Sequence, residues 1–360
     1  MCTLELLSNH KINSFMSTRK EELDLFIDYI KDASLERVAV DLSAKVSSLS
    51  ADIKRRVSTA EACGGAGGGS VGGEGVEVGL RGILDSSEGR VGSRRGVSTL
   101  GVSEVVGLER VVSRQGTLDP KTLRKAAASF RIFSFNNARA FISSLSMVGL
   151  GLSRERDMLV GSKDTSATAI EWTLSELIKH PRVMKKVQKE LEEKIGMDRM
   201  VEESDLEGLE YLHMVIKEAF RLHPVAPLLG PHESMEDCTI DGFLIPQKTR
   251  VLVNVWAIGR DQSAWTDANK FIPERFAGSN IDVRGRDFQL LPFGSGRRSC
   301  PGMHLGLTMV RQIVAQLVHC FDWELPNNML PEELDMTESF GLVTPRANHL
   351  CATPTYRLHL

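Results

Sequence analysis

Ten residues near the carboxy-terminal end, Phe293-Gly294-Ser295-Gly296-Arg297-Arg298-Ser299-Cys300-Pro301-Gly302, set one thiol among small neighbours and two arginines in the pattern FxxGxRxCxG. From average residue usage, a chance match somewhere in a chain of 360 residues is on the order of one in ten thousand. The spacing suits a thiolate that ligates a metal. Small residues let backbone N–H groups approach the sulfur, and a helix opening at Pro301 and running through Leu305, Met309 and Ile313 aims its positive end at the anion. Both effects predict a lowered thiol pKa. The other cysteines, Cys2, Cys63, Cys238, Cys320 and Cys351, lack such surroundings and read as inert thiols. His304 stands four residues after Cys300, but nothing supplies the further donors that a zinc site needs.

Two more groups of residues carry potential chemistry. In Glu218-Ala219-Phe220-Arg221, the acid and the base share one helix face, beside an apolar face made by Leu212, Val215, Ile216, Ala219 and Phe220. Alone, such a pair is an ordinary solvated i,i+3 contact. Asp164-Thr165 sets a carboxylate that can exchange protons with solvent beside a hydroxyl, the combination that directed proton delivery requires. Alone, it reads as a surface pair.

The elements that must hold these groups are mostly helices. Met158 to Lys179 is a long helical pattern closing before Pro181, and Arg182 to Lys194 is another, ended by Gly196 and supported by a Glu190–Lys194 pair. Ser204 and Glu207 have the spacing of a capping box ahead of the Glu218 helix, which Pro224 stops. Short β-rich runs come next at Thr239 to Ile245 and Arg250 to Val255, with a turn around Pro246 and a helix near Trp256 to Arg260. The class predicted is α+β, mainly α with small β-sheets.

Upstream, residues 1–53 give two helical patterns, one through Leu23, Phe26, Ile27 and Ile30 and one through Val38, Leu42 and Val46. From Lys54 to Gln115 glycines crowd together without periodicity, which predicts disorder. The Gly67-x-Gly69-x-x-Gly72 spacing there mimics a dinucleotide fingerprint, but a glycine run produces it without the strand and helix that the fingerprint needs. Residues 116–150 hold apolar patches around Phe130, Ile132, Phe133 and Phe135 in no assignable arrangement. The domain expectation is therefore a helical part at 1–53, a glycine-rich segment at 54–156 and an ordered core at 157–360.

Bulk composition narrows the partners. With 42% hydrophobic and 25% charged residues the chain can bury a large core, and a formal net charge of -3 gives no reason to expect nucleic acid. Six scattered cysteines without a CxxC pair fit a reducing environment. No stretch reaches the roughly 18 to 20 consecutive apolar residues of a membrane span.

In their order along the chain, the Asp164-Thr165 helix, Glu218-x-x-Arg221, Phe271-Ile272-Pro273-Glu274-Arg275-Phe276 and the Cys300 loop resemble the carboxy-terminal half of a plant microsomal cytochrome P450 of the large plant hydroxylase group. The resemblance implies a partial cytochrome P450 fold over residues 157–360 and haem b as cofactor, with Cys300 as the iron ligand. It implies Phe293, Gly296 and Gly302 in the haem-binding loop, Phe293 shielding the sulfur, and Arg298 and His232 on the propionates. Glu218, Arg221 and Arg275 become a buried structural network. Asp164 and Thr165 become the catalytic pair that relays protons to dioxygen, although Ser162 and Lys163 stand where the family usually has a glycine and a small or apolar residue.

The implied partners are NADPH-cytochrome P450 reductase, which passes on electrons from NADPH, together with O2 and a small lipophilic substrate. Val225 to Leu229, Gly161 to Ala167 and Phe340 to Val343 contribute to its pocket. The implied location is the endoplasmic reticulum membrane, on the cytosolic face. Residues 1–53 resemble a stretch beginning late in the family's third helix, which sets its anchor and first helices upstream of Met1, and residues 54–156 resemble nothing in the family. Two other readings stay open: a non-catalytic fragment with an incomplete haem cradle, and a haem-thiolate isomerase or dehydratase, which can dispense with Asp164 and Thr165.

Overall fold

A computed structural model describes residues 7–64 and 154–359. The chain divides into two compact units, residues 1–60 with 134–360, and residues 61–133. All of the described residues except 61–64 belong to the first unit. The glycine-rich fingerprint and the apolar patches at 116–150 lie outside the described residues, as does the greater part of the segment expected to be disordered.

After a short helix α1 (Asn9–Ser14), helix α2 (Met16–Glu36) buries Leu23, Phe26, Ile27 and Ile30 at the expected spacing. It also buries Arg19, whose guanidinium donates to both carboxylate oxygens of Glu203, at 2.7 and 2.8 Å, and to the Ile12 carbonyl. The helix ends where Arg37 turns left-handed (φ 54°), so Val38, expected on an apolar face with Leu42 and Val46, falls in the connection and is exposed. Strand β1 (Val40–Asp41) then leads directly into α3 (Leu42–Gly64), which continues the helix eleven residues beyond the boundary expected at Ile53.

Helix α4 (Arg154–Lys179) is apolar on several sides toward its end, with Ile170, Trp172, Leu174 and Leu177 all buried. It packs on α5 (Pro181–Ile195), α6 (Glu210–Leu222) and α8 (Met303–Cys320), and α8 is buried almost continuously from Met309 to Cys320. The expected Glu190–Lys194 pair is not what is seen. Glu190 instead accepts the Tyr211 and Leu212 backbone N–H groups at 2.7 and 2.9 Å, satisfying first-turn amides of α6 that have no partner inside their own helix. The expected Ser204–Glu207 box is likewise replaced: in a 3₁₀ turn at Glu203–Gly208, Asp205 accepts the Glu202 N–H at 2.8 Å and holds Arg199 at 2.7 Å.

Small antiparallel sheets complete the unit. Strand β2 (His232–Glu233) pairs with β5 (Arg250–Val251), and β3 (Cys238–Ile240) with β4 (Phe243–Ile245). The β3–β4 turn is Asp241-Gly242, both at positive φ (48° and 82°), the geometry of a two-residue type I′ hairpin inside what reads as one β-rich run. The one-turn helix α7 (Val255–Ile258) comes after β5. Strand β7 (Cys351–Tyr356) lies between β1 and β6 (Phe321–Glu324), tying the start of the chain to its end.

One histidine of α6 sets a pH dependence. Burial, assisted by the Arg311 charge, lowers His213 to about 4, and its Nε2 has no hydrogen bond. The folded chain therefore prefers the neutral ring, so stability is fully present above the ordinary histidine pKa and falls as pH drops from about 6.5 toward 4. A His213→Gln variant should flatten this part of the stability-versus-pH curve. An unchanged slope in urea denaturation across that range counts against the assignment.

Candidate haem-thiolate site

Helix α6 supplies the foundation. Glu218 and Arg221 are fully buried, and the Arg221 guanidinium donates to both carboxylate oxygens at 2.7 and 2.8 Å. The carboxylate also accepts Arg275 Nε at 2.9 Å and the Ile272 N–H at 2.8 Å. Remaining Arg221 donors reach the carbonyls of Gly259, Ala268 and Lys270. Five donors in a planar fork meet five oxygens, which is how a buried arginine avoids the cost of an unpaired donor. Gly259 is needed there, since a Cβ at that position would lie 2.3 Å from the Arg221 carbonyl oxygen.

The PERF segment forms a 3₁₀ turn, Pro273–Phe276, and is fastened outward as well. Glu274 accepts Arg182 at 2.6 Å, Lys186 at 2.7 Å and the Tyr211 hydroxyl at 2.9 Å, and the Arg182 bond in particular holds its carboxyl well below the usual range. Glu274 thus joins α5, α6 and the turn that carries Arg275. Only its place in the motif hints at that role in the sequence.

The Cys300 loop sits on this base through two aromatic rings: Phe293 meets Phe220 of α6 edge-on, with centroids 5.5 Å apart. Gly294 and Gly296 are both left-handed (φ 71° and 69°), a conformation that favours glycine at these turns. Leu229 lies against Gly294, 3.7 Å from where a Cβ would stand, so the segment after α6 also abuts the loop. The loop closes on itself through the Cys300 N–H, which donates to the Phe293 carbonyl at 2.8 Å. Gly296–Arg298 is a 3₁₀ turn, and α8 opens at Met303 with Gly302 as its cap, two residues later than expected.

Cys300 is a free, exposed thiol. The Gly302 N–H bonds its sulfur and lowers the pKa, but protein atoms crowding the thiol from the loop side desolvate it, and the balance is upward. The expectation of a lowered pKa is therefore corrected: one N–H bond is outweighed by loss of solvation. Phe293, expected to shield the sulfur, packs on Phe220 and beside Gly306, and Cys300 remains open to solvent.

Arg298 and His232 are exposed, and neither makes an ion pair among the described residues. Asp164 is exposed on α4, and the neighbouring Thr165 hydroxyl donates to the Gly161 carbonyl at 3.3 Å. The side chains of Ser162 and Lys163 lie outside the described residues. His304 faces the Thr308 hydroxyl at 3.4 Å, and no cluster of three or more His, Cys, Asp or Glu among the described residues could hold a metal ion. The donor set suits haem: one accessible thiol held by a backbone N–H, on a glycine-turned loop, with exposed Arg298 and His232 as basic groups for acidic side groups.

The cytochrome P450 family model matches residues 151–351. The chain belongs to the cytochrome P450 family. It is 48% identical to cytochrome P450 CYP736A12 of Panax ginseng, over 99% of this chain and 73% of that protein. It is 35% identical to the desmethyl-deoxy-podophyllotoxin synthase of Sinopodophyllum hexandrum, over 99% of this chain and 72% of that protein. A solved zebrafish cytochrome P450 with progesterone has the same fold, with a TM-score of 0.66 at 23% identity, over 99% of this chain and 80% of that one. The helical architecture with small sheets is that of a P450, and membership makes the chain a haem monooxygenase of the plant type. Among the described residues no helix is long and apolar enough to cross a membrane.

Proposed function

We propose that this cytochrome P450 takes electrons from NADPH through NADPH-cytochrome P450 reductase and inserts one atom of O2 into a small lipophilic plant metabolite, at the cytosolic face of the endoplasmic reticulum. The observation that carries the reading is the exposed Cys300 thiol on a loop braced by Phe220 and the buried Glu218–Arg221–Arg275 network. When bound, haem supplies oxygen activation and the thiolate donates electron density that favours O–O cleavage. Cys300 would hold the iron, Gly302 would hold the sulfur through its N–H, and Arg298 and His232 would hold the propionates.

Asp164, exposed to solvent, takes up protons, and Thr165, half-buried on the same turn of α4, passes them inward through its hydroxyl. The substrate class rests on the mostly apolar segments Val225 to Leu229 and Phe340 to Val343, and on the similarity to a protein named for synthesis of a podophyllotoxin derivative.

The full chain, reduced and exposed to carbon monoxide, should give a strongly red-shifted Soret band, and turnover should require NADPH, reductase and O2 together. Failure to retain haem would favour a non-catalytic fragment, and turnover without reductase an isomerase or dehydratase. Asp164→Asn should lower kcat on the order of 100-fold with the Soret band intact. An unaltered kcat would remove Asp164 from the relay.

A further inference from the structure

Trp172 of α4 is fully buried, and its indole N–H donates to the Thr344 carbonyl at 2.8 Å. The ring itself is fixed. His223, the residue just past α6, stacks on it with centroids 4.0 Å apart and planes within 2°, and Arg346 sets its guanidinium 5.8 Å from the ring centroid. His223 is held in turn by Glu176, about one turn further along α4, at 2.6 Å. The direction in which the indole N–H points is therefore set by α4, by the end of α6 and by the segment that it reaches.

That segment is a loop with a shape of its own. The Ala347 N–H donates to the Thr337 carbonyl and the Ser339 N–H to the Pro345 carbonyl, both at 2.8 Å, and Glu338 and Arg346 form an antiparallel bridge. At the tip, Gly341 leaves no room for a side chain, since a Cβ there would lie 2.8 Å from the Val343 carbonyl oxygen. A loop closed in this way moves as one piece, so its anchors decide where Phe340 to Val343 stand.

The anchors adjoin one another. The Thr344 N–H donates to the Val225 carbonyl at 3.0 Å, the Thr344 carbonyl accepts the indole, and the Arg346 N–H reaches Glu171 at 3.4 Å. Neighbouring residues of α4, Glu171 and Trp172, thus hold alternate residues of the loop, and the indole bond is the shorter. Through its two backbone groups, Thr344 links the start of Val225 to Leu229 to the helix. Thr344 is buried, and a buried carbonyl that loses its donor is left at a cost that water does not relieve.

We propose that Trp172 is a positioning residue for substrate selection. Its N–H fixes Thr344, and through Thr344 the spacing between Val225 to Leu229 and Phe340 to Val343, the two apolar segments assigned above to the substrate pocket. This deepens the monooxygenase reading and rests on it. Trp172 stands eight residues beyond Asp164, about 12 Å along the helix, so the role is separate from the proton relay. Walls held at a fixed spacing leave little to be ordered when a bulky guest binds, whereas loosened walls must be ordered by the guest and bind it less tightly. A guest too small to span both segments is indifferent to their spacing.

Two replacements remove the donor. Trp172→Phe keeps a ring for the His223 stack, and 3-benzothienylalanine at position 172 keeps the shape of the indole with sulfur in place of the N–H, which serves should the first fail to fold. Hydrogen exchange of the full chain, which needs neither haem nor substrate, should show the Thr344 amide exchanging about five-fold faster in both. In the haem-loaded protein, spectral titration should show 1-phenylimidazole bound about five-fold more weakly and imidazole changed by less than about two-fold, because only the larger probe meets both segments. Trp323→Phe, which removes an indole bond to the Leu317 carbonyl at 3.0 Å, is the control and should alter neither readout. Unchanged exchange at Thr344, or equal weakening of the two imidazoles, overturns the proposal. A parent chain that takes up no haem defeats the monooxygenase reading and the selectivity role with it, and the exchange result then shows whether the clasp itself stands.

Discussion

Replacing Cys300 with serine is expected to remove the strongly red-shifted Soret band of the reduced, carbon monoxide-bound chain while leaving the protein folded. The spectral consequence stems from the donor: a serine hydroxyl is a poor substitute for a thiolate, and no other exposed sulfur in this loop could replace it. The structural consequence stems from the contacts. Cys300 is exposed, its backbone N–H bond to Phe293 does not involve the side chain, and Phe293 keeps its place on Phe220. Removing the sulfur therefore opens no buried cavity, and the urea midpoint should move by less than about 0.5 kcal/mol equivalent. Cys238→Ser, at another exposed thiol, is the control and should keep the band. An unchanged band in Cys300→Ser would dismiss Cys300 as the ligand, whatever its motif.

The rigid base beneath the Cys300 loop was partly legible in the sequence, because an acid and a base that share one helix face depend on side-chain type at a fixed short spacing. Glu218 and Arg221 sit one helical turn apart, and one turn is where a guanidinium can reach a carboxylate on both oxygens. What pattern alone left open was burial: the same four residues on a surface would look identical. Arg275 and the carbonyls of Gly259, Ala268 and Lys270 decide it, and they arrive from other parts of the chain.

Other features escaped for the same reason. Glu190 looks like half of a local pair with Lys194, yet two orphan amides at the start of α6 compete for it and win through fixed backbone geometry. Val38 fits a helical face but comes after a residue that turned left-handed. The Asp241-Gly242 hairpin was readable, since that dipeptide favours a type I′ turn, but the flanking run was too short and too apolar to show two strands. The thiol pKa depends on how closely atoms crowd the sulfur, a quantity that spacing does not encode.

The Glu218 network offers the largest stability effect. Arg221→Met keeps an unbranched apolar stem, shorter than the arginine, and removes the charge and all the donors. Glu218, with no exposure to solvent, then retains only Arg275 and the Ile272 N–H for a full negative charge, while the carbonyls of Gly259, Ala268 and Lys270 each lose a donor. Breaking a buried pair from one side costs about 3–5 kcal/mol, a large share of the ~5–15 kcal/mol that holds a typical domain together. Urea denaturation should show the midpoint falling accordingly, with haem retention falling alongside, because the Cys300 loop rests on Phe220 of the same helix. Adding Glu218→Gln to Arg221→Met separates charge from packing. Neutralising the stranded carboxylate should recover part of the loss, since an amide is far cheaper to bury than an unpaired ion. A cost below about 1 kcal/mol for Arg221→Met would mean that the pair behaves as a solvated surface contact, and the buried arrangement would then be wrong.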